Sequence, residues 1–506
     1  MNMINKVDLL NKIDFGDIDG LYDPNLNQYF IDVQYKESLL HGDKFFVIGR
    51  KGTGKSALYN WLHSIQSEEG IIVSNMSFSD FPFERLLSLS DDYFMKPNQY
   101  QSIWKHIILL QLAKIIVSDT QSDAADEGWR ELLDYIKNRG VNLSDLHREI
   151  TRYIDKYDSR LGYKESFLGY GTSKEIENRW GLSNITSLNN RLKEVICDYL
   201  KRHQTCQYII QFDQLDDSYT SYVNRDEYLQ CIQSLFKTIY QLNQNFKLQC
   251  INVKIIAYLR SDIYTQFNRH DAESSRWDQF VLKLNWAIIN KIDWPTCNLL
   301  KLINARIKYS LPELCTEPSP FSFIFNNEEI GLKSPTKRRT EDIFKYIVHR
   351  TFQRPRDLIQ FCKKIQKESE DSQKINGQTI KAAEKEFSLW LLGEVENEIA
   401  PIISDTESLY ELLRQLGRND YTIKQFRDNY KQYQTHFPTA NAEDMLRLLY
   451  NWGVIVNVKS INVKERRITE WFSVIRNERS VFNRDLNIRT HPGFYEGLHT
   501  SKFLQR

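Results

Sequence analysis

The stretch Phe45-Phe46-Val47-Ile48-Gly49-Arg50-Lys51-Gly52-Thr53-Gly54-Lys55-Ser56-Ala57-Leu58-Tyr59-Asn60-Trp61-Leu62 decides how the chain is read. Four apolar residues, Phe45 to Ile48, form a short run suited to a buried strand. The following "SALYNWLHSIQ" spaces Leu58, Leu62 and Ile65 along one helical face. Between them, Gly49 to Ser56 fits the pattern G-x-x-x-x-G-K-S. Gly49, Gly52 and Gly54 permit backbone that side chains forbid, so successive N–H groups can turn toward phosphate oxygens. The helix N-terminus adds partial positive charge at the same place. The whole loop, Gly49, Arg50, Lys51, Gly52, Thr53, Gly54, Lys55 and Ser56, is therefore expected to hold a nucleotide triphosphate. Lys55 is expected on the β- and γ-phosphates and Ser56 on Mg²⁺.

Such a site needs a carboxylate at the C-terminal end of a neighbouring strand. "QYIIQFDQLDD" supplies one: Tyr208 to Phe212 reads as a strand that ends at Asp213, the expected metal partner. Asp216 and Asp217 follow, and Asp216 is the preferred group to polarise an attacking water. Gln214 stands where a glutamate base is usual, which points to slow hydrolysis or to Asp216 in that role. Further strands are expected over Gly70–Phe78, Val253–Leu259 and Phe280–Trp286, with Arg260 just after the second of these.

The chain has 506 residues, of which 41% are hydrophobic and 26% charged, with a net charge of +1. That suits about three soluble domains and excludes a polycationic nucleic-acid binder; any such contact needs a local patch. The first 20 residues interrupt each apolar run with acids, so neither a signal peptide nor an anchor is expected. No apolar run approaches membrane-spanning length. Seven scattered cysteines with no C-x-x-C pair point to reduced thiols in a cytoplasmic protein.

Three domains are expected. Residues 1–286 form an α/β core with a parallel sheet and a helical insertion at about 82–205. "YQSIWKHIILLQLAKIIV" is a core helix of that insertion, and "LGYKESFLGYGTSKEIENRWG" a polar loop. Residues 287–403 form a helical lid. In it "WPTCNLLKLINARI" places Pro295 near a helix start, "NNEEIGLKSPTKRRTED" reads as a loop, and "RPRDLIQFC" starts a helix with Arg354 and Arg356. Residues 404–506 read as three helices and a hairpin, "VIVNVK" and "EWFSVIR" joined by "SINVKERRIT", which is a winged-helix pattern. From Lys459 onward basic residues outnumber acidic ones about two to one, Lys464, Arg466, Arg467, Arg476, Arg479, Arg484 and Arg489 among them. Contact with DNA phosphates and docking of a protein both stay open for this region.

"FFVIGRKGTGKSAL", "IIQFDQLDD", "IIAYLRSDIY" and "RPRDLIQFC" together resemble bacterial ORC/STAND-like P-loop ATPases, AAA+-related and close to the KAP group. The resemblance spans roughly Phe15 to Ile365. It implies an ASCE-type core with an additional strand between the loop strand and the acidic strand. It implies Mg-ATP as ligand, Arg260 as first sensor of the γ-phosphate (a surface arginine being the equally weighted alternative), and Arg354 or Arg356 as a lid arginine on the γ-phosphate. It also implies a homo-oligomeric regulatory switch that licenses a partner effector, a nuclease or other toxin, as in phage defence. Arg276, before the last strand, is the candidate arginine finger, with a structural ion pair as the alternative. A DNA-binding protein that uses ATP as a structural ligand, and an ORC-like DNA loader, are the competing expectations. The chain itself shows no nuclease constellation.

Overall fold

A computed structural model of the chain describes residues 5–66, 70–78, 100–119, 121–138, 185–204, 206–216, 225–270, 274–288, 291–325, 329–332, 339–400, 402–438, 440–463, 466–478 and 480–499. The chain divides into two compact units. One comprises Gln34–Lys51 and Lys55–Leu284; the other comprises Met1–Val33, Gly52–Gly54 and Asn285–Arg506.

The first unit is built on five parallel strands: β1 (Phe46–Gly49), β2 (Ile71–Ser77), β3 (Gln207–Asp213), β4 (Val253–Arg260) and β5 (Val281–Lys283). Their order across the sheet is β2-β3-β4-β1-β5. The interior strand β1 reads as an unbroken apolar run because both sheet faces are covered there; every residue of β1 is buried. The strand that separates the loop strand from the acidic strand in space is β4, while β2, which separates them in sequence, lies at the edge. The fifth strand is shorter than the expected Phe280–Trp286. In register, Gly49 pairs with Arg260. Phe212 is level with Ala257 and, through it, with Phe46. Asp213 therefore ends its strand level with Val47, two residues short of Gly49, where the β1 chain leaves the sheet.

Helices Lys55–Ser64, Gln101–Ser118, Glu127–Asn138, Ile185–Arg202, Arg225–Leu248 and Ser261–His270 belong to this unit. The expected core helix is Gln101–Ser118, and it is apolar nearly all round because it is enclosed: Trp104, Ile108, Leu109 and Leu112 are wholly buried. The indole N–H of Trp104 donates to the Cys231 carbonyl at 3.1 Å on the helix Arg225–Leu248. The polar stretch expected as a loop at 161–181 lies outside the described residues.

In the second unit the expected lid and the C-terminal region lie together, with residues 1–33, which the sequence reading gave to the core. Pro295 sits in a short 3-10 turn, and the helix that follows is Asn298–Ser310, with Leu299, Ile303 and Ile307 buried. Helix Pro355–Ser372 begins with proline at its first position, where the missing N–H does no harm. Helix Gly377–Ile399 packs along it. The expected loop at 326–342 instead carries an antiparallel pair, β6 (Glu329–Leu332) and β7 (Arg339–Asp342).

The C-terminal helices are Thr406–Leu416, Ile423–Tyr430 and Ala442–Asn451. Gly417 closes the first at φ 70°, Thr422 and Gln425 form a capping box on the second, and Asn441 caps the third. Strands β8 (Ile455–Val463), β9 (Arg466–Phe472) and β10 (Asn487–Thr490) make an antiparallel sheet in the order β10-β8-β9. Most of the expected connection "SINVKERRIT" is strand, and β10 was not expected. Among the described residues no helix is long and apolar enough to cross a membrane.

Candidate functional site

The glycine loop leaves β1 at Gly49 and enters its helix at Lys55. Gly52 and Gly54 take φ values of +80° and +93°, where L side chains are strained. Gly49 is the last residue of the strand and makes no such demand. Lys55 folds back over the loop: its Nζ donates to the carbonyls of Gly49 at 3.2 Å and Arg50 at 3.4 Å. Burial pushes its ammonium below the ordinary lysine value, against the pull of the Asp216 and Asp213 carboxylates. A cation held this way exchanges weak carbonyl partners for phosphate oxygens with a large gain.

Asp213 is 2% exposed. Burial raises its carboxyl to about 6, although the Gln214 backbone N–H, Lys55 and the Ser56 hydroxyl all pull the other way; Asp216 adds to the rise. Its Oδ2 is buried and has no hydrogen-bond partner among the described residues. A buried, raised carboxylate with an unused oxygen, beside a hydroxyl, is a donor set that suits a hard divalent cation such as Mg²⁺. Ser56 and Asp213 are the residues that would hold it.

Gln214 stands at φ +61°, in the left-handed region. Its side-chain carbonyl accepts a hydrogen bond from the Ser77 hydroxyl at the end of β2. Asp216 lies 3.8 Å from Arg260, both side chains 16% exposed, and Arg260 also donates to Asp262 at 3.0 and 2.8 Å. The sheet edge thus brings together Lys55, Ser56, Asp213, Asp216 and Arg260, as the sequence reading expected. Asp217 lies outside the described residues. Ser77 and Asp262 were not anticipated; the signal for each was its position at the C-terminal end of a strand.

The lid arginines belong to the second unit. Arg354 is 5% exposed and forks onto Asp357, wholly buried, at 3.1 and 2.8 Å. The same carboxylate accepts the Phe352 N–H at 2.8 Å. Arg356 reaches the Ile18 carbonyl and Glu394, each at 3.4 Å. Arg276 is exposed, in the 3-10 stretch Ser274–Phe280. Arg466 and Arg467 lie on β9, paired with Val463 and Asn462; Lys464 and Arg479 lie outside the described residues. Two members of the C-terminal basic set are neutralised by acids that precede the counted stretch. Arg489 donates to Asp420 at 2.6 Å, and Arg484 lies 3.0 Å from Glu443. Arg489 and Arg476 also stand over the Trp471 ring.

Residues 297–396 match the FunZ-associated C-terminal helical domain, which covers helices Asn298–Ser310 to most of Gly377–Ile399. Over 96% of its length the chain is 21% identical to the putative transposon gamma-delta 80.3 kDa protein of Escherichia coli (strain K12). The alignment covers 67% of that protein.

Proposed function

We propose that the chain is an Mg-ATP-binding P-loop ATPase of the ASCE type, a regulatory switch whose nucleotide site is built from the glycine loop after β1 and the end of β3. The observation that carries this reading is the Asp213 carboxylate, buried with an unpartnered oxygen beside Ser56 and under a lysine-bearing glycine loop. Strand order supports it, since one strand stands between loop strand and acidic strand. Bound Mg²⁺ supplies charge neutralisation at the phosphates. Ser56 and Asp213 orient that ion, Lys55 neutralises the terminal phosphates, and Asp216 is the group placed to hold an attacking water. The Arg260 guanidinium stands 3.8 Å from the Asp216 carboxylate. Gln214 cannot take a proton, so turnover is slow. The switch licenses a partner protein, with a toxin or nuclease effector as the class implied by the resemblance. The test is ATP binding and hydrolysis by the purified protein beside Lys55→Ala, Asp213→Ala and Asp216→Ala. Retained affinity in Lys55→Ala refutes the site; unchanged turnover in Asp216→Ala refutes the base.

A second reading is favoured by the similarity to a protein named for a transposon: the three helices and three-stranded sheet of residues 406–490 act as a winged helix on DNA, with ATP held structurally or used in loading. It requires duplex affinity that falls steeply with salt and weakens on changing Arg466 and Arg467. No affinity at low salt removes it.

A further inference from the structure

The tip of the glycine loop is held by two donors that the nucleotide reading does not use. The indole N–H of Trp286 donates to the Thr53 carbonyl at 2.9 Å, with both residues buried. The backbone N–H of Arg356 donates to the Gly52 carbonyl at 3.3 Å. Arg356 is in the first turn of helix Pro355–Ser372, where N–H groups lack partners inside the helix. Both donors sit on one frame, because the Ile288 N–H donates to the Gln353 side chain at 2.8 Å. All of these residues belong to the second unit.

A trans peptide sets the consequence: the carbonyl of one residue and the N–H of the next point in opposite directions. With the Gly52 carbonyl fixed on Arg356, the Thr53 N–H is turned the other way. With the Thr53 carbonyl fixed on Trp286, so is the Gly54 N–H. These are two successive donors of a phosphate-binding nest.

Resting on the nucleotide reading, we propose that Trp286 is a positioning residue of the phosphate loop. Its indole N–H, together with the Arg356 backbone, presets the Thr53 and Gly54 amides for phosphate oxygens.

The test replaces the donor and keeps the ring. In full-length protein, Trp286→Phe, and benzothienylalanine at 286 as a closer isostere, are titrated with Mg-ATP, Mg-ADP and tripolyphosphate beside wild type, with melting recorded without ligand. Loss of one buried hydrogen bond from the preset loop predicts a 3- to 10-fold weaker dissociation constant for all three, with ligand-free melting of the benzothienyl protein unchanged. A purely structural role moves melting and leaves affinity alone. Wild-type affinity in the isostere overturns the proposal while the nucleotide site stands. Absence of binding in wild type to any of the three overturns the nucleotide reading, and this proposal with it.

Discussion

Replacing Asp213 by asparagine is expected to stabilise the ligand-free protein while abolishing its response to Mg-ATP. In the fold, burial holds the Asp213 carboxyl at about 6, against about 3.9 for a free aspartate. Between these values the folded state keeps a proton that the unfolded state has released. Stability therefore falls as pH rises through that window, and the full cost is present above it. At 1.36 kcal/mol per tenfold change, that cost is about 3 kcal/mol at pH 8 and about 1 kcal/mol at pH 4.5. Asparagine has the same shape and no charge to bury, and its own imperfectly paired amide returns about 1 kcal/mol. The variant is thus expected to be about 2 kcal/mol more stable than wild type at pH 8 and equal to it at pH 4.5. The assay is urea unfolding in EDTA at both pH values, repeated at pH 8 with Mg-ATP in place of EDTA. Ligand binding raises wild-type stability in proportion to the logarithm of its saturation, and the variant is expected to gain little. A variant less stable than wild type at pH 8, or a difference that does not change between the two pH values, refutes the reasoning that this carboxylate is held in the fold at a cost and for a cation.

On the proposed nucleotide reading, Lys55→Ala removes the charge that would face two phosphates and is expected to weaken Mg-ATP binding on the order of 100-fold, read by equilibrium titration. Asp357→Ala removes the buried carboxylate onto which the Arg354 guanidinium forks and is expected to destabilise the protein by about 3–5 kcal/mol. Adding Arg354→Met to it recovers much of that loss, and a single variant that melts like wild type contradicts the ion pair's role. A Cβ at Gly493 would lie 2.3 Å from the Arg350 carbonyl oxygen and 2.8 Å from Leu391. Gly493→Ala is therefore expected to lower stability by about 1–3 kcal/mol, measured as a drop in melting temperature.

The parts legible in the sequence were those fixed by local requirements. The strand–glycine loop–helix was readable because positive-φ turns constrain residue type to glycine, and Asp213 because an apolar run that ends in a carboxylate marks a strand end. The hairpin β6–β7 was not readable. Its strands are only four residues each, the second of them wholly polar, and they exist through pairing across six intervening residues, which composition does not record. The same holds for β10, whose four residues take their place from β8 and from the bridge between Tyr421 and Ile488. Two partners in the basic C-terminal stretch are hidden from composition for a related reason: Asp420 and Glu443 lie outside the counted window but face Arg489 and Arg484 in space. The partner of Arg354 was readable in principle, since Asp357 stands three residues on in the same helical turn.

Gly52 shows how a position left free by a motif can still be determined. The pattern from Gly49 to Ser56 requires glycine only at its first and sixth places, and Gly52 fills one of the open ones. Its φ of +80° is one reason for glycine there. The other is distance: an added Cβ would stand 3.0 Å from the Arg356 Cβ and 3.2 Å from its Cδ. Only at that approach does the Arg356 N–H reach the Gly52 carbonyl. A larger residue at 52 would push the helix start away, release the carbonyl, and free the Thr53 amide to turn. The middle glycine of the opening stretch is thus explained by its backbone angle and by what packs on the back of the loop.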